Sequence, residues 1–304
     1  MTYAKIIADS ISYGGHRLTT FEVRMHRFVL PEFNTHRVLS KNSASSRAIP
    51  VHKQINRVMN EPTAPVSWPE EQKGMQGGSE LVGNGLERAQ ALWAQARENA
   101  VVSVAGMVGA GLHKSVTNRL LEPFMWHTVV VTGTAWENFF AQRCSPLAQP
   151  EIREVAEKMQ AAYEESDPTV LMDDEWHLPY VDDDDFNTLL YGGYPHTYEG
   201  AKKISAARCA RVSYLTQDGI RDIDADLALY DRLVGAQPPH WSPLEHVATP
   251  DIHNVQHGEY TFYSERLERH VGFQKTHLPV VGNLLGWRSL RVEVEAEQGI
   301  KTYV

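Results

Sequence analysis

Only two cysteines, Cys144 and Cys209, occur among 304 residues. Two thiols cannot build a disulfide scaffold or a four-cysteine zinc site, and they fit reduced side chains in a cytoplasmic compartment. Long apolar runs are missing as well. The longest, residues 100–112, is interrupted by Ser103 and glycines; it is too short to span a bilayer and predicts a buried helix. No basic excess exists: the formal net charge is −9, which argues against a protein that coats duplex DNA. A nucleotide ligand stays compatible with that charge, because a few arginines can hold one phosphate. Met1–Lys5 shows no signal-peptide pattern, and neither a tandem repeat nor a low-complexity linker is visible. The expectation is one interwoven domain, residues 1–304, long enough to bury a large core.

Patterning predicts a mixed chain. Thr19 to His26 alternates, with Phe21, Val23 and Met25 on one side and Glu22, Arg24 and His26 on the other, the pattern of a half-buried strand. Residues 61–85 hold three prolines and five glycines and predict a long loop. Leu86 to Ala110 has helical composition. Residues 123–143 open on Pro and an apolar run and then take helical spacing, with Trp136, Phe139 and Phe140 on one face. Glu151 to Glu165 predicts an amphipathic helix with the stripe Ile152, Val155, Ala156, Met159. Ala201–Arg211 and Asp224–Val234 predict two more helices, the second with Leu227, Tyr230 and Val234 as its stripe. The acidic run Asp182–Asp185 predicts a solvated loop, since four consecutive carboxylates cannot all reach one ion.

Three clusters carry chemistry. Thr35 to Arg47 brackets hydroxyls and amides with arginines and lacks carboxylates. That composition suits a phosphate, through guanidinium forks, hydroxyls and free backbone N–H groups, and it equally suits a solvated basic loop. Asn118-Arg119, Asn138, and Arg143 with Gln149 and Glu151 form the second. An arginine buried beside Trp136, Phe139 and Phe140 needs an anion or a polar ring, whereas one on a helix surface needs only a nearby Glu. His240-Trp241-Ser242-Pro243-Leu244-Glu245-His246 is the third; Pro243 and the histidine spacing argue against a metal.

Together the clusters resemble the flavin-dependent thymidylate synthases. His36-Arg37, seven residues, then Ser45, Ser46 and Arg47 match that family's arginine signature. Thr132 to Ile152 is similar to its second conserved stretch, through Asn138, Arg143, Ala148, Gln149, Glu151 and Ile152, and Arg119 with Pro123 resembles the arginine before it. The likeness covers roughly residues 17–50, 112–165 and 200–250. Thr35 replaces the first signature arginine, Ser43 a usual glutamate, and Glu32 a frequent glutamine. Ala210-Arg211-Val212-Ser213-Tyr214 and Ser242-Pro243-Leu244-Glu245-His246 resemble motifs that precede the signature in the family but follow it here. The chain therefore resembles a circular permutation of it, with an arginine-signature half, 1–165, and a permuted half, 200–304, and with the strand at Phe21–Met25 close to its start.

The resemblance implies an α+β fold with a central, mostly antiparallel sheet flanked by helices. It also implies a homotetramer with shared active sites, FAD as cofactor, and methylene-tetrahydrofolate and NADPH as co-substrates. The substrate implied is a pyrimidine deoxynucleotide monophosphate, dUMP, methylated at C5. Methylation or hydroxymethylation of dCMP or dUMP for modified DNA is the sister reaction, and an inactive nucleotide-binding homologue the non-enzymatic alternative. Ser45, Ser46, Arg47 and Arg119 would hold the nucleotide, Arg143 would activate it, and His36, Arg37, Asn42, Asn138 and His246 would contact FAD. Neither cysteine is required as a nucleophile.

Overall fold

The computed structural model describes residues 1–194, 197–214, 221–251, 260–264, 269–273 and 283–299. Strands β1 (Tyr3–Ser12) and β2 (Arg17–His26) form an antiparallel hairpin. Gly15, at φ +79°, lies in its turn, in the left-handed region that glycine adopts without strain. Then follow α1 (Leu30–Asn34), β3 (Ser40–Ser43), α2 (Val51–Asn60), α3 (Gly83–Gly109), α4 (Lys114–Thr117) and β4 (Trp126–Gly133). Helices α5 (Glu137–Arg143) and α6 (Pro150–Glu165) lead to β5 (Thr169–Leu171). The remainder of the chain contributes α7 (Asp183–Tyr191), α8 (Thr197–Arg211), α9 (Ile223–Gly235), β6 (Ala248–Pro250), β7 (Tyr260–Ser264), β8 (Arg269–Phe273), β9 (Trp287–Ser289) and α10 (Leu290–Glu297).

The central sheet has the order β3-β4-β2-β1-β5, antiparallel except for the short β1–β5 pair. Its two faces are covered by different halves of the chain. Phe21, Val23, Met25, Val129 and Val131 pack against Phe33 of α1, Trp136, Phe139 and Phe140 around α5, and the stripe Ile152, Val155, Ala156, Met159 of α6. On the opposite face Val130 packs with Cys209 and Val212, joined by Ile7 and Tyr180. Burial on both faces explains why β4 carries an unbroken Val129-Val130-Val131 run instead of alternation.

Several expectations are corrected. A ten-residue strand, β1, precedes the Phe21 strand; its mixed side chains hide it, because its edges are polar. The second face of β2 is not solvated: Glu22 accepts hydrogen bonds from the hydroxyls of Tyr3 and Tyr180. The helical spacing that closes the 123–143 segment is borne out by α5, and the apolar run before it is β4. The 100–112 run is mostly helical but not buried. Within α3 only Val104 is buried, while Val102 and Val108 are exposed, because the helix touches its own chain along one narrow strip. Asp182–Asp185 is the start of a helix, not a loop: Asp182 caps α7 in a capping box with Asp185. Asp185 itself is buried in ion pairs with Arg208. In α9 the buried residues are Ile223, Asp226, Tyr230 and Leu233, one step off the expected stripe, because Asp226 turns inward to Arg208 and Arg211.

Candidate functional site

The 44–49 turn is held largely by backbone and amide contacts. Ala44 N–H donates to the Thr128 carbonyl of β4 (3.0 Å), and Ser45 N–H to the Ser213 carbonyl (3.1 Å). The buried Asn118 amide donates to the carbonyls of Ser46 (2.7 Å) and Ile49 (2.9 Å). Lys114 Nζ adds a bond to the Ala48 carbonyl. Ser45 Oγ accepts from Arg47 N–H (3.3 Å), so the turn is pinned while the Arg47 side chain stays exposed.

Arg143 lies at the C-terminal end of α5, where a cation is favoured by the helix dipole. Its Nε donates to His36 Nε2 (2.9 Å), and its Nη2 to Thr35 Oγ1 (2.9 Å) and the Glu32 carbonyl (3.2 Å). Nη1 has no hydrogen bond among the described residues. The first departure from the arginine signature, Thr35, thus has a role here: its hydroxyl orients the guanidinium. His36 must accept from Arg143, so it is neutral; burial, then Arg143 and Lys41, lower its pKa to about 4. The His36 ring lies edge-on to Phe139, with centroids 5.0 Å apart.

A second polar knot surrounds Glu122. Its carboxylate accepts from Ser46 Oγ (2.6 Å), Arg119 Nη1 (2.7 Å) and Arg27 Nη2 (3.3 Å). Burial opposes its charge, but the Ser46 hydroxyl and the Arg27 and Arg119 cations outweigh that and hold its pKa below the usual range. Ser46 and Arg119 are therefore brought together, on a protein carboxylate. Glu122 escaped the sequence reading, although it stands three residues after Arg119, the spacing of a helical ion pair.

The flavin candidates divide. Arg37 and Asn138 are exposed, next in sequence to the touching pair His36 and Phe139. Asn42 and His246 are buried on the face that Cys209 and Val212 cover. Asn42 Nδ2 donates to the Cys209 carbonyl (2.8 Å), and its Oδ1 accepts from Ser213 Oγ (3.5 Å) and Ser242 Oγ (3.3 Å). The 210–214 and 242–246 segments thus converge on one amide of β3. His246 Nδ1 meets Thr132 Oγ1 of β4 at 2.8 Å, and Thr132 Oγ1 meets Thr20 Oγ1 of β2 at 2.7 Å. The segment around His246 therefore lies against β3 and β4: Ser242 reaches Asn42 across 200 residues of sequence, and His246 reaches Thr132 across 114. Tyr214 has its backbone in a 3-10 turn; the 215–220 stretch and most of the segment from 252 to 282 lie outside the described residues.

Two features fit an anionic, ring-bearing cofactor. Arg37 and Arg47 are exposed and form no ion pair among the described residues. His246 Nε2 is buried without a hydrogen-bond partner among the described residues, an arrangement that costs free energy unless a ligand meets it. Neither thiol resembles an activated nucleophile: burial raises the pKa of Cys144, and raises that of fully buried Cys209 further. A separate open cleft of about 870 Å³, lined by Trp176, Lys202, Arg288 and several carboxylates, contains none of the candidate residues. Among the described residues no helix is long and apolar enough to cross a membrane.

Comparison with protein families finds a match over residues 11–169 to the family described as thymidylate synthase complementing protein. Among solved structures the chain resembles a UMP/dUMP methylase, PolB from Streptomyces cacaoi, bound with 5-Br UMP or with 5-Br dUMP. Each is 17% identical, with a TM-score of 0.43; the alignments cover 54% of this chain and 88% or 90% of the other. A search of curated proteins finds no match.

Proposed function

The chain belongs to the flavin-dependent thymidylate synthase family and is a thymidylate synthase-like methyltransferase, and on that premise we propose that it methylates C5 of dUMP with FAD as cofactor. The carbon comes from methylene-tetrahydrofolate and the reducing equivalents from NADPH. The observation that carries this reading is the Arg143 guanidinium, fixed on its side edge by His36 and Thr35 with Nη1 left over. Pyrimidine C5 is a poor nucleophile. A fixed cation beside the ring carbonyl stabilises the negative charge that develops as C5 attacks, without reorganising first.

Ser45 and Arg47 meet the 5′-phosphate first. Ser46 and Arg119 join it in exchange for Glu122, whose carboxylate stands where a phosphate oxygen would be recognised by the same donors. FAD, when bound, supplies the redox chemistry. Arg37 would hold its phosphates, Asn138 and the His36 turn would flank it, and Asn42 would steady His246, whose Nε2 is offered from the permuted half. The two halves, 1–165 and 200–304, act as one domain in permuted order. Exposed Leu92, Val102 and Val108 on α3, with Val116 and Leu120 beyond it, suit burial against further copies of the chain in a homotetramer, which light scattering of the purified protein checks. The test of function is incubation with dUMP or dCMP, methylene-tetrahydrofolate and NADPH, followed by product mass. One added methyl on dUMP is the expected result. Flavin-replete protein that modifies neither nucleotide would end this reading.

A further inference from the structure

A continuous buried chain of hydrogen bonds runs through the centre of the molecule. Ser10 Oγ of β1 lies 2.8 Å from His177 Nδ1, and His177 Nε2 lies 2.7 Å from Thr20 Oγ1 of β2. Thr20 Oγ1 lies 2.7 Å from Thr132 Oγ1, directly opposite it in the β2–β4 register, and Thr132 Oγ1 lies 2.8 Å from His246 Nδ1. Every member is buried, the two threonines and His246 completely. His177 is clamped in place: its N–H donates to the Ala248 carbonyl (2.7 Å), two residues beyond His246, and Ala248 N–H donates back (3.3 Å). The chain thus joins three strands of the sheet to the segment that carries His246, and it ends at an Nε2 atom with no partner among the described residues.

Proton counting gives this chain a direction. A hydroxyl supplies one proton, and a neutral imidazole one. Both histidines are neutral, since burial lowers their pKa values to about 3. Five protons therefore serve four bonds, and one is left at an end. If every bond points toward Ser10, His246 Nδ1–H donates to Thr132. Then the Ser10 hydroxyl proton and the His246 Nε2 lone pair both lack partners among the described residues. If every bond points toward His246, Ser10 donates to His177 and Thr132 donates to His246 Nδ1. Only the His246 Nε2–H is then left over. One orphaned group costs less than two.

We propose that Ser10, His177, Thr20 and Thr132 are positioning residues that form a one-way hydrogen-bond relay and hold His246 as its Nε2–H tautomer. The atom that this histidine offers is thus a donor, and the ligand atom it takes is an acceptor, a carbonyl oxygen or an unprotonated ring nitrogen. An N–H group placed there would be rejected, because two donors would face each other. That His246 faces the flavin belongs to the functional reading above; the tautomer does not depend on it.

Histidine-selective ¹⁵N NMR of the full chain as purified tests the relay. In the wild-type protein His177 and His246 should each show a protonated-type Nε2 and an unprotonated-type Nδ1. Ser10→Ala removes the first donor, and with it the difference between the two directions. His246, which Ser10 does not touch, should then populate the Nδ1–H form measurably. Thr132→Val should abolish the preference, and Thr132→Ser should restore it. A wild-type His246 protonated at Nδ1 overturns the proposal, as does a His246 tautomer unmoved by Ser10→Ala. The threonine variants act beside His246, whereas Ser10→Ala acts at a distance and alters the fold least, so it carries the decision if Thr132→Val fails to fold. Flavin affinity measured on the same variants addresses the separate reading: a relay that behaves as stated with flavin affinity unchanged removes His246 from the cofactor site and leaves the relay standing.

Discussion

Arg143 has its side edge occupied by protein groups, and that occupancy makes it replaceable by nothing smaller. Lysine carries the charge but not the fork, so Arg143→Lys should lose activity nearly as fully as Arg143→Ala, by about a hundredfold or more. Circular dichroism and flavin absorbance should stay near wild type; near-normal turnover in either variant would remove Arg143 from the chemistry. Cys144→Ser should retain turnover, since its thiol is raised rather than activated. Loss of activity in a folded, flavin-replete Cys144→Ser protein would point to covalent catalysis instead. Glu122 makes a contrasting case. It competes with a phosphate for Ser46 and Arg119, so Glu122→Gln should tighten dUMP binding several-fold in calorimetry. Weaker binding would mean that Glu122 orients those donors for the nucleotide rather than standing in for it.

At the scale of elements, the C-terminal part of the chain is the cover of one sheet face, not an appendage. Ending the chain near Ser205 would uncover Thr20, Val130 and Thr132 and leave Asn42 without Cys209, Ser213 and Ser242. The truncated protein should be insoluble and colourless. A soluble, yellow core would mean that flavin is held by residues 1–205 alone. Which elements were legible in the sequence follows from the same layout. Helix α6 matched its predicted stripe residue for residue, because it packs one face on a core and leaves the other wet. Strand β2 gave its period of two but hid its second covering, since Glu22 looks solvated until Tyr3 and Tyr180 are placed beside it. Of the candidate site, the 36–47 segment and Arg143 were visible through residue type and spacing. Thr20, Thr132 and His177 were not: an isolated threonine or histidine has no pattern, and only the β2–β4 register and the Ala248 bridge bring them together.

Across the whole molecule, buried neutral histidines link stability to acid. His127, His177 and His246 have pKa values lowered by burial to about 3, from an ordinary 6.5. The unfolded chain therefore binds protons that the folded one refuses. The stability that this represents is complete above about pH 6.5 and is lost as pH falls from there toward 3. Each group contributes a slope of about 1.4 kcal/mol per pH unit while it titrates. Urea midpoints should change little from pH 8 to 7 and fall steeply from pH 6 to 5, above the range where carboxylates begin to titrate. His177→Phe should flatten that slope by about one proton's worth. A midpoint that is level between pH 6 and 5 would mean that these histidines are charged in the folded state.

The two-sided covering of β4 also sets a timetable for biosynthesis. Its first face can be sealed once residues through α6 have left the ribosome, but its second waits for the segment that ends near Val247. At roughly 5–20 residues per second, that interval lasts about 4–16 s. Throughout it the nascent sheet presents Val130 and a row of unsatisfied threonine hydroxyls to the cell. Holding chaperones should therefore find their binding site on the half-made chain there, and synonymous slow codons placed between 165 and 247 should lower the soluble yield more than the same codons placed upstream.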